Sequence, residues 1–530
     1  MDYKSALRLL KEKFRGHHVK RDPENNDQWG VFPDKGRGGV SADADSLSSA
    51  ASKFQRKESL SSAVTNEPSE SVFRETAVTP GQGSTEQPVN RKIQRLIVGL
   101  DFGTAFSKVI VSSGQVNHVV QLRNIGSYPD DYLLPTTLWV TSEGDYSISP
   151  IAGAEVYRDL KSRIFVDDVD EEAYLRIVAY LTLLLRKVRR WIQEEKHQLY
   201  GRSRLDWYIN VGLPTRIHQH NKLEDKYKSL VTSAWLLAAS SRPINRNNVI
   251  HVLEQSSIEN GKSDEDKVLA NKVRAFPEFV AQVTGYVRGP RRRRGLHVLT
   301  DIGAGTVDST VFNVHQREYE DKYPIFSGDV TYSGVEVLVD TRLSAGTYKG
   351  SWKPDLDYPI PVRQDFAQKM QIPISDLEGA EKNLRAKVYK QLASGISEVK
   401  TSFAPMQEEW TTGVPLFITG GGSFIEFYNE VVAGLCENWR RQGVNLQIEQ
   451  LPSPENLDAP SLNPRSFHRL SVAYGLSFSS LDIGEVMQAP RFSQQEGDLS
   501  TATRKCPVCN GTGGATLMGC LTCGGSGFIH

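Results

Sequence analysis

Two segments of the chain share one order of residue types, and this repetition limits the folds that the chain can adopt. In each segment an apolar strand carries an aspartate near its end, a turn of small residues follows, and a hydroxyl residue leads into a second strand. The segments are GLDFGTAFS at 99–107 and DIGAGTVD at 301–308, about 200 residues apart. Each reads as a β-hairpin, because apolar runs flank a glycine-containing turn. The repetition predicts an α/β protein with two similar hairpins.

The turns of the two hairpins have the composition expected of phosphate-binding loops. Gly103 and Gly303 lack a Cβ, so the backbone N–H groups of these turns can approach a phosphate closely. In the first hairpin, Thr104 and Ser107 add hydroxyl donors. Asp101 is placed to hold a magnesium ion through water, since this ion prefers oxygen ligands and keeps much of its hydration. Taken alone, the first hairpin is equally compatible with a purely structural turn.

A third glycine-rich segment, Gly420-Gly421-Gly422-Ser423, follows a predicted strand at 416–419 and precedes a predicted helix at 424–441. The N-terminus of a helix offers unpaired N–H groups and a favourable dipole to an anionic nucleotide. Each of the three motifs is common by itself. Their ordered occurrence in one chain predicts that they converge on a single polyphosphate, held between two halves of the protein.

The patterns between these motifs alternate between helices and strands, with no short-period repeat. Apolar residues at helical spacing predict helices over 171–198, 221–239 and 376–403. Apolar runs predict strands at 96–100, 108–112 and 207–213, and a strand–turn–strand unit over 297–314.

Length, charge and cysteine content narrow the class of protein. The 530 residues favour about two to four domains. Lys and Arg total 63 and Asp and Glu total 63, which argues against a polycation that coats nucleic acid. No apolar run approaches the roughly 18 residues of a membrane span, and the N-terminus lacks a signal peptide's hydrophobic stretch. Because four of the five cysteines lie in the last 25 residues, we expect a reducing, cytoplasmic location. From the balanced charge and the lack of long apolar runs, we expect neither nucleic acid nor a membrane as a partner.

Shifts in composition divide the chain into segments. The segment rich in Ser, Asp, Asn, Gly and Pro buries too little apolar surface to offset its chain entropy. We predict a short amphipathic helix over 1–20, with a frayed surface helix as the alternative to a docking helix. The other predicted segments are a disordered Ser-rich linker over 21–91, a nucleotide-binding domain over 92–485, a linker over 486–503 and a cysteine-rich module over 504–530.

The last segment contains two copies of the pattern C-x-x-C-x-G-x-G. Cys506 and Cys509 form the first pair, and Cys520 and Cys523 form the second. Each pair presents two thiolates to one metal, and the ten residues between the pairs suit one tetrahedral zinc ion. A redox dithiol and inert thiols are the alternatives. Since so short a segment has no core, zinc would supply its folding free energy, on the order of 10 kcal/mol.

Beyond these motifs, the chain resembles the nucleotide-binding domains shared by actin, sugar kinases and DnaK-type 70-kilodalton heat-shock chaperones. The DnaK-type branch is the most similar, because the segments 133–156, 206–215 and 469–477 and the step Phe276-Pro277-Glu278 also match. The resemblance covers about 95–485. It implies an actin-like α/β fold of two lobes, each with a mixed sheet, that bind ATP or ADP with magnesium. The last segment resembles half of the DnaJ-type cysteine-rich zinc module.

The resemblance implies a role for each matching residue in the hairpins. Asp101 and Asp308 would hold the magnesium ion through water. Thr104 and Thr306 would hydrogen-bond the β- and γ-phosphates. The loop residues implied to contact the nucleotide are Gly103, Thr104, Ala105, Gly303, Ala304, Gly305, Thr306, Gly420, Gly421, Gly422 and Ser423.

The resemblance also implies residues outside the hairpins. Asp301 and Glu278 would lie near the attacking water or the hydration shell of the ion. Lys161 would face the phosphates, with a surface salt bridge as its alternative. Glu381 and Lys382 would flank the adenosine.

The sequence departs from the family at points that bear on activity. Ala105-Phe106 replaces a small polar pair, and Ala304 replaces a glycine. Neither the family's peptide-binding domain nor a DnaJ-type His-Pro-Asp hairpin is present. We therefore predict a magnesium-dependent, slow ATPase that acts as a chaperone-like or regulatory switch on protein clients or co-chaperones. The alternatives are an actin-like filament-forming ATPase and a scaffold that binds nucleotide without hydrolysing it.

Overall fold

The structure of the chain is a computed structural model. It describes residues 92–127, 129–158, 160–165, 170–214, 220–257, 272–316, 321–346, 360 and 362–483, together with six short strands outside these ranges. No helix among the described residues combines the length and the apolar content that crossing a membrane requires.

The smaller of the two units into which the chain divides contains an antiparallel three-stranded sheet. Its strands, in sheet order, are β1 (His17–Arg21), β2 (Gln28–Pro33) and β3 (Val40–Asp43). We expected a helix over 1–20 and a linker over 21–91. Apart from these three strands, both segments lie outside the described residues. The strands include Val19, Val31 and Val40, whose β-branched side chains favour extended backbone against the surrounding polar composition.

The larger unit begins with a lobe built on a mixed sheet, which we call the first lobe. Its helix α1 begins after Asp170, whose side chain accepts a hydrogen bond from Glu172 N as an N-cap. The elements are β4 (Ile93–Phe102), β5 (Phe106–Ser112), β6 (Asn117–Val119), β7 (Leu134–Pro135), β8 (Leu138–Val140), β9 (Tyr146–Ser147), β10 (Glu155–Tyr157), α1 (Glu171–Glu195), α2 (His197–Tyr200), β11 (Arg204–Leu213), α3 (His220–Ala239), α4 (Arg246–Ser257), β12 (Val273–Pro277) and α5 (Glu278–Val287).

The second lobe follows and is also built on a mixed sheet. Its elements are β13 (Gly295–Ile302), β14 (Thr306–Gln316), β15 (Asp321–Tyr332), α6 (Val335–Ser344), α7 (Arg363–Met370), α8 (Ile374–Glu398), α9 (Glu409–Thr412), β16 (Val414–Thr419), α10 (Glu426–Arg441) and β17 (Leu446–Glu449). The closing elements are β18 (Leu457–Asp458), a 3₁₀ turn (Pro464–Arg469), α11 (Ser471–Leu476), α12 (Ser480–Ile483), β19 (Glu485–Gln488), β20 (Arg504–Lys505) and β21 (Phe528–Ile529).

The sheets of the two lobes have the same topology. The first runs β12-β11-β4-β5-β6-β18, with β7 beside β5, and the second runs β17-β16-β13-β14-β15-β19. In each lobe the first three strands pair antiparallel, and two later strands add in parallel beside the first. This strand order occurs twice in the chain. The predicted fold of two mixed-sheet α/β lobes is confirmed.

Two short helices, α5 and α11, cross between the lobes at very small separation. A Cβ at Gly475 in α11 would lie 1.8 Å from Ala281 O in α5, and a Cβ at Gly285 would lie 2.9 Å from the Tyr474 ring. On the sheet side, a Cβ at Gly99 in β4 would lie 2.2 Å from the carbonyl oxygen of Ala473. Apolar side chains of both sheets join these helices in one buried cluster. The absence of side-chain atoms at these glycines therefore permits the packing that joins the lobes.

We expect Gly475→Ala to destabilise the protein by roughly 2–3 kcal/mol, because the added methyl group must push the two helices apart. The matched control is Gly434→Ala in α10, where a Cβ would meet nothing within 4 Å. That change should stabilise the protein by about 0.5–1 kcal/mol, since alanine is the better helix former. Chemical denaturation of the three proteins measures both effects, and equal stabilities of the two variants would contradict the packing argument.

Candidate functional site

A cavity of about 430 Å³ lies between the lobes, and all three glycine bends contribute to its lining. The sequence therefore located the bends that meet in space, although they lie far apart along the chain. The predicted residues that line the cavity are Asp101, Gly103, Thr104, Ala105, Lys161, Glu278, Asp301, Gly303, Ala304, Thr306, Asp308, Gly420 and Gly421. The predicted residues Gly305, Gly422, Ser423, Glu381 and Lys382 are not part of this lining.

The first bend connects β4 to β5 and is held from outside the hairpin. Thr136 N donates to Ala105 O over 2.8 Å, and Thr136 Oγ1 donates to Gly103 O over 2.9 Å. The predicted role of Ser107 as a phosphate donor is wrong. Its side chain is fully buried, and its hydroxyl bonds Thr136 Oγ1 and the Tyr180 hydroxyl at 3.2 and 2.9 Å. The alternation of side chains along β5 directs it into the core.

The second bend connects β13 to β14 and is held by the start of α6. Gly303 N donates to Thr306 O over 2.9 Å within the turn. Val335 N and Glu336 N, in the first turn of α6, donate to Gly303 O and Ala304 O at 3.1 and 2.8 Å. The helix N-terminus thus uses its own unpaired donors to fix the carbonyl groups of the bend.

The third bend packs directly on the end of β13. Gly420 has φ +82°, and a Cβ there would lie 2.1 Å from Asp301 Oδ1. Gly422 N donates to Ile302 O over 2.9 Å, and a Cβ at Gly422 would lie 2.3 Å from Ile302 Cγ2. Glycine is therefore required at 420 for its backbone conformation and at both positions for space. The packing of Gly422 explains why it supports the bend without lining the cavity.

The two hairpins place different charges at equivalent positions. In the first, Asp101 lies opposite Lys108, and Lys108 Nζ bonds Asp101 Oδ2 at 2.9 Å. In the second, Asp301 lies opposite Asp308, so two carboxylates occupy the corresponding pair. Gln282 Nε2, from α5, donates to Asp301 Oδ2 over 2.6 Å.

A buried ion pair completes the floor of the cavity. Lys161 Nζ bonds Glu278 Oε1 at 2.6 Å, and both side chains are largely buried. Burial alone would lower the pKa of Lys161, but Glu278, Tyr227 and Asp101 outweigh it and raise the pKa above its ordinary value. Lys161 is therefore charged at neutral pH and bound to Glu278. The surface salt bridge considered from sequence is a buried one inside the cavity.

Burial and neighbouring negative charge raise the pKa of two aspartates. Burial, with Glu278 and Asp101 adding to the effect and Gln282 opposing it, raises the pKa of Asp301 to about 6. Burial, together with Asp301 and Glu278, raises the pKa of Asp308 to about 7. Lys108 favours the ionised form of Asp301 and Lys161 that of Asp308, but burial and the neighbouring carboxylates outweigh both lysines. A bound cation would add the positive charge that these carboxylates need.

The arrangement of oxygen atoms fits a hydrated magnesium ion. Asp301 Oδ1 and Asp308 Oδ1 are buried and hydrogen-bond no residue that the structure describes. Within the described ranges, no group of three or more His, Cys, Asp or Glu side chains could hold a metal directly. Magnesium keeps most of its waters and takes few protein ligands, so these carboxylates suit contact through water. The four cysteines of the predicted zinc module lie outside the described residues.

The prediction that Glu381 and Lys382 flank the adenosine is not supported by their positions. Glu381 is buried in ion pairs with Arg342 Nε and Arg363 Nε at 2.7 and 2.8 Å, and Lys382 is exposed. The cavity is also lined by residues that the sequence analysis did not predict. They come mainly from α6, the segment before α7 and the start of α10, and are Val335, Val339, Arg342, Ile360, Val362, Ile425 and Glu426. No motif marks them, because most are ordinary apolar positions, and the charged residues Arg342 and Glu426 belong to no recognisable pattern.

Comparison with known proteins adds a similarity to solved structures. No model of a known protein family matches the chain, and no curated protein matches it. Among solved structures, the chain is similar to MreB 5 of Spiroplasma citri bound to AMPPNP, with 12% sequence identity and a TM-score of 0.36. The match covers 72% of this chain and 94% of that one. The repeated strand order alone assigns the fold. The chain has two α/β lobes, each built on a mixed sheet of the same strand order.

We expect Asp308→Asn to stabilise the nucleotide-free protein at pH 8 by about 1–2 kcal/mol without magnesium. The raised pKa means that folded Asp308 binds its proton more tightly than unfolded Asp308. Its contribution to stability therefore falls as pH rises from about 4 to about 7. The gain of the variant should vanish near pH 4, and it should shrink at pH 8 when magnesium is added.

Urea denaturation of both proteins at pH 4.5 and pH 8 measures this difference. Asp340→Asn, an exposed aspartate in α6, serves as the control and should show no pH-dependent gap. A gap of equal size at both pH values would contradict the electrostatic account of the site.

Proposed function

We propose that the cavity binds ATP with magnesium and hydrolyses it slowly, so that nucleotide state controls the relative position of the two lobes. The observation that carries the proposal is the meeting of three glycine bends, six carboxylates and two lysines in one cavity between duplicated lobes. Phosphoryl transfer to water requires positioning and charge neutralisation more than covalent chemistry. Backbone bends and carboxylates in a cleft suit those two tasks.

In the proposed site each group has a separate task. Thr104 and Thr306 donate hydroxyl hydrogen bonds to the phosphates from opposite hairpins. Asp101 and Asp308 would hold magnesium through its waters, and the ion would supply positive charge next to the phosphates. Asp301 orients the attacking water and accepts its proton. In the cavity without an ion, burial raises the pKa of Asp301 to about 6, closer to neutral than that of an ordinary carboxylate, which suits a general base.

The ion pair between Lys161 and Glu278 connects the floor of the cavity to α5. Lys161 stays charged because it is bound to Glu278, and Glu278 is the first residue of α5. A change in the charge near Glu278 would therefore act on the helix that crosses between the lobes. Two-lobed proteins that close on a ligand use such elements as hinges. We propose that hydrolysis serves to couple the nucleotide state of the cavity to the relative position of the two lobes.

We place the protein among chaperone-like or regulatory switches that act on protein clients or co-chaperones in the cytoplasm. A filament-forming ATPase of the same fold is the alternative, and a scaffold that binds nucleotide without hydrolysis is the third. Phe106 is relevant to the scaffold alternative, because it stands where the family has a small polar residue and lines the cavity beside the first bend. There it could prevent hydrolysis without preventing nucleotide binding.

We expect Gly420→Ala to weaken magnesium-dependent ATP binding at least tenfold, because a Cβ at this position would collide with the Asp301 carboxylate. Gly443→Ala is a closely matched control. Gly443 has φ +78°, similar to +82° at Gly420, but a Cβ there meets nothing within 4 Å. Both variants carry the same backbone strain, and only the first disturbs the site. Isothermal titration with ATP, with and without magnesium, measures the affinities, and equal effects of both changes would argue against this cavity as the ATP site.

Phosphate release and sedimentation separate the three readings. A switch should release phosphate slowly and stay in the supernatant with ATP, and Asp301→Ala should abolish the release. Sedimentation or visible filaments that depend on ATP would favour the filament-forming ATPase. Tight ATP binding with no release from the intact chain would favour the scaffold.

We also propose that the cysteine module binds one zinc ion through Cys506, Cys509, Cys520 and Cys523. The paired C-x-x-C-x-G-x-G patterns support it. The strands β20 and β21, on either side of the cysteines, pair antiparallel and so bring the ends of the module together. In this proposal zinc organises a small surface for a protein partner.

We expect about one zinc per chain and its loss in the double variant Cys506→Ser/Cys509→Ser. Cys436→Ser is the control, since Cys436 lies in α10 of the second lobe and belongs to neither pair. Elemental analysis of the purified proteins measures the metal. Retention of zinc in the double variant would contradict the assignment of ligands.

A further inference from the structure

The lysines of the cavity are already neutralised by carboxylates. Lys108 is bound to Asp101 at 2.9 Å, and Lys161 is bound to Glu278 at 2.6 Å. Asp301 and Asp308 add two more acidic groups to the lining. The floor of the cavity therefore carries an excess of negative charge, although it is shaped for a ligand that is itself negative.

A triphosphate needs more positive charge than this floor provides. A magnesium ion offsets part of the difference, but Asp101 and Asp308 face the same ion. Moving either lysine to a phosphate would leave a buried carboxylate without its partner, which is costly. The remaining positive charge must come from a group whose present partner is easily exchanged.

Arg469 lies where such a group is needed. It lines the cavity and is the last residue of the 3₁₀ turn (Pro464–Arg469). Its guanidinium carbon lies 5.4 Å from the centre of the Phe106 ring, at the first bend. Its Nη2 lies 4.0 Å from the position that a Cβ of Gly421 would take, at the third bend. Arg469 thus spans the entrance between a bend of each lobe.

The ion pair that Arg469 makes with Asp130 is loose. Arg469 Nη1 lies 3.7 Å from Asp130 Oδ1, beyond hydrogen-bond length, and the two side chains are 23% and 32% exposed. Asp130 also accepts a hydrogen bond from Ser127 Oγ at 3.1 Å, so it keeps a partner when the arginine moves. Exchanging a partly solvated pair at this distance for a phosphate costs little. Arginine also matches phosphate geometry with two parallel donors.

The neighbours of Arg469 connect it to the third bend and to α11. His468 packs edge-on against Phe424, with ring centres 4.5 Å apart, just beyond the third bend. Leu470 follows and is the residue directly before α11. Burial lowers the pKa of His468 to about 4, and the charges of Arg469 and Lys108 add to that effect. The turn therefore carries positive potential at the cleft and leads directly into the crossing helix.

We propose that Arg469 binds the terminal phosphates of the nucleotide by exchanging Asp130 for them, and that it thereby links phosphate occupancy to α11. The inference rests on the proposed function, since it concerns the same cavity. Arg469 contacts the ligand in this scheme, and Asp130 acts on binding only by holding the arginine away.

Titrations with ATP, ADP and adenosine test the proposal on the intact protein with magnesium. Arg469→Gln should weaken ATP binding roughly 10- to 100-fold, weaken ADP binding less and leave adenosine binding unchanged. Arg469→Lys should recover part of the preference for ATP over adenosine. The matched control is Arg465→Gln, an exposed arginine of the same turn that does not line the cavity, and it should bind all three ligands like wild type.

A separate set of variants tests whether Arg469 exchanges Asp130 for the phosphates. Asp130→Asn should tighten ATP binding by about two- to fivefold, and this gain should disappear when Arg469→Gln is also present. Equal weakening of ATP and adenosine by Arg469→Gln would overturn the proposal and assign the arginine a structural role. Unchanged ATP affinity in Arg469→Gln would overturn the role of Arg469 while leaving the proposed function intact. A wild-type protein that binds no nucleotide would overturn both.

Discussion

The close crossing of α5 and α11 is the contact on which the two-lobed arrangement depends. It exists because Gly475 and Gly285 have no side chains at the point where the helices meet. Each helix also begins at the cavity, α5 with Glu278 and α11 immediately after Arg469 and Leu470. The cavity therefore lies within one or two residues of the start of each helix. The same contact that joins the lobes is thus close to the cavity on both sides.

The cavity contains two buried carboxylates that no lysine among the described residues binds directly. Each lysine is bound to a carboxylate, and the pair formed by Asp301 and Asp308 has no lysine of its own. Burial of these carboxylates raises their pKa values, so ionisation at neutral pH weakens the nucleotide-free fold. Binding of a divalent cation would remove that strain. Ionisation of these two carboxylates thus lowers the stability of the folded protein, and perturbed groups of this kind cluster at functional sites.

The sequence predicted the elements that have strong local signals. Both hairpins, the long helix α1 and the step from β16 to the third bend were predicted within a few residues, because apolar spacing and glycines define them. It could not predict the direction of single side chains. Ser107 points into the core and Glu381 pairs with buried arginines, since neighbouring elements, rather than local pattern, decide which face is covered. Arg469 went unnoticed for a related reason, because only the folded chain brings it to the cleft.

The unequal charges of the two hairpins give the duplicated architecture a polarity. Two identical halves would form a pseudo-symmetric cleft that accepts a phosphate chain equally well in either direction. Here the residue opposite the strand-end aspartate is Lys108 in one half and Asp308 in the other. One hairpin consequently presents a neutral ion pair to the cleft, and the other presents two acidic groups. A linear charged ligand would meet different charges at its two ends, so a difference at one cross-strand position is enough to give the repeated scaffold a direction.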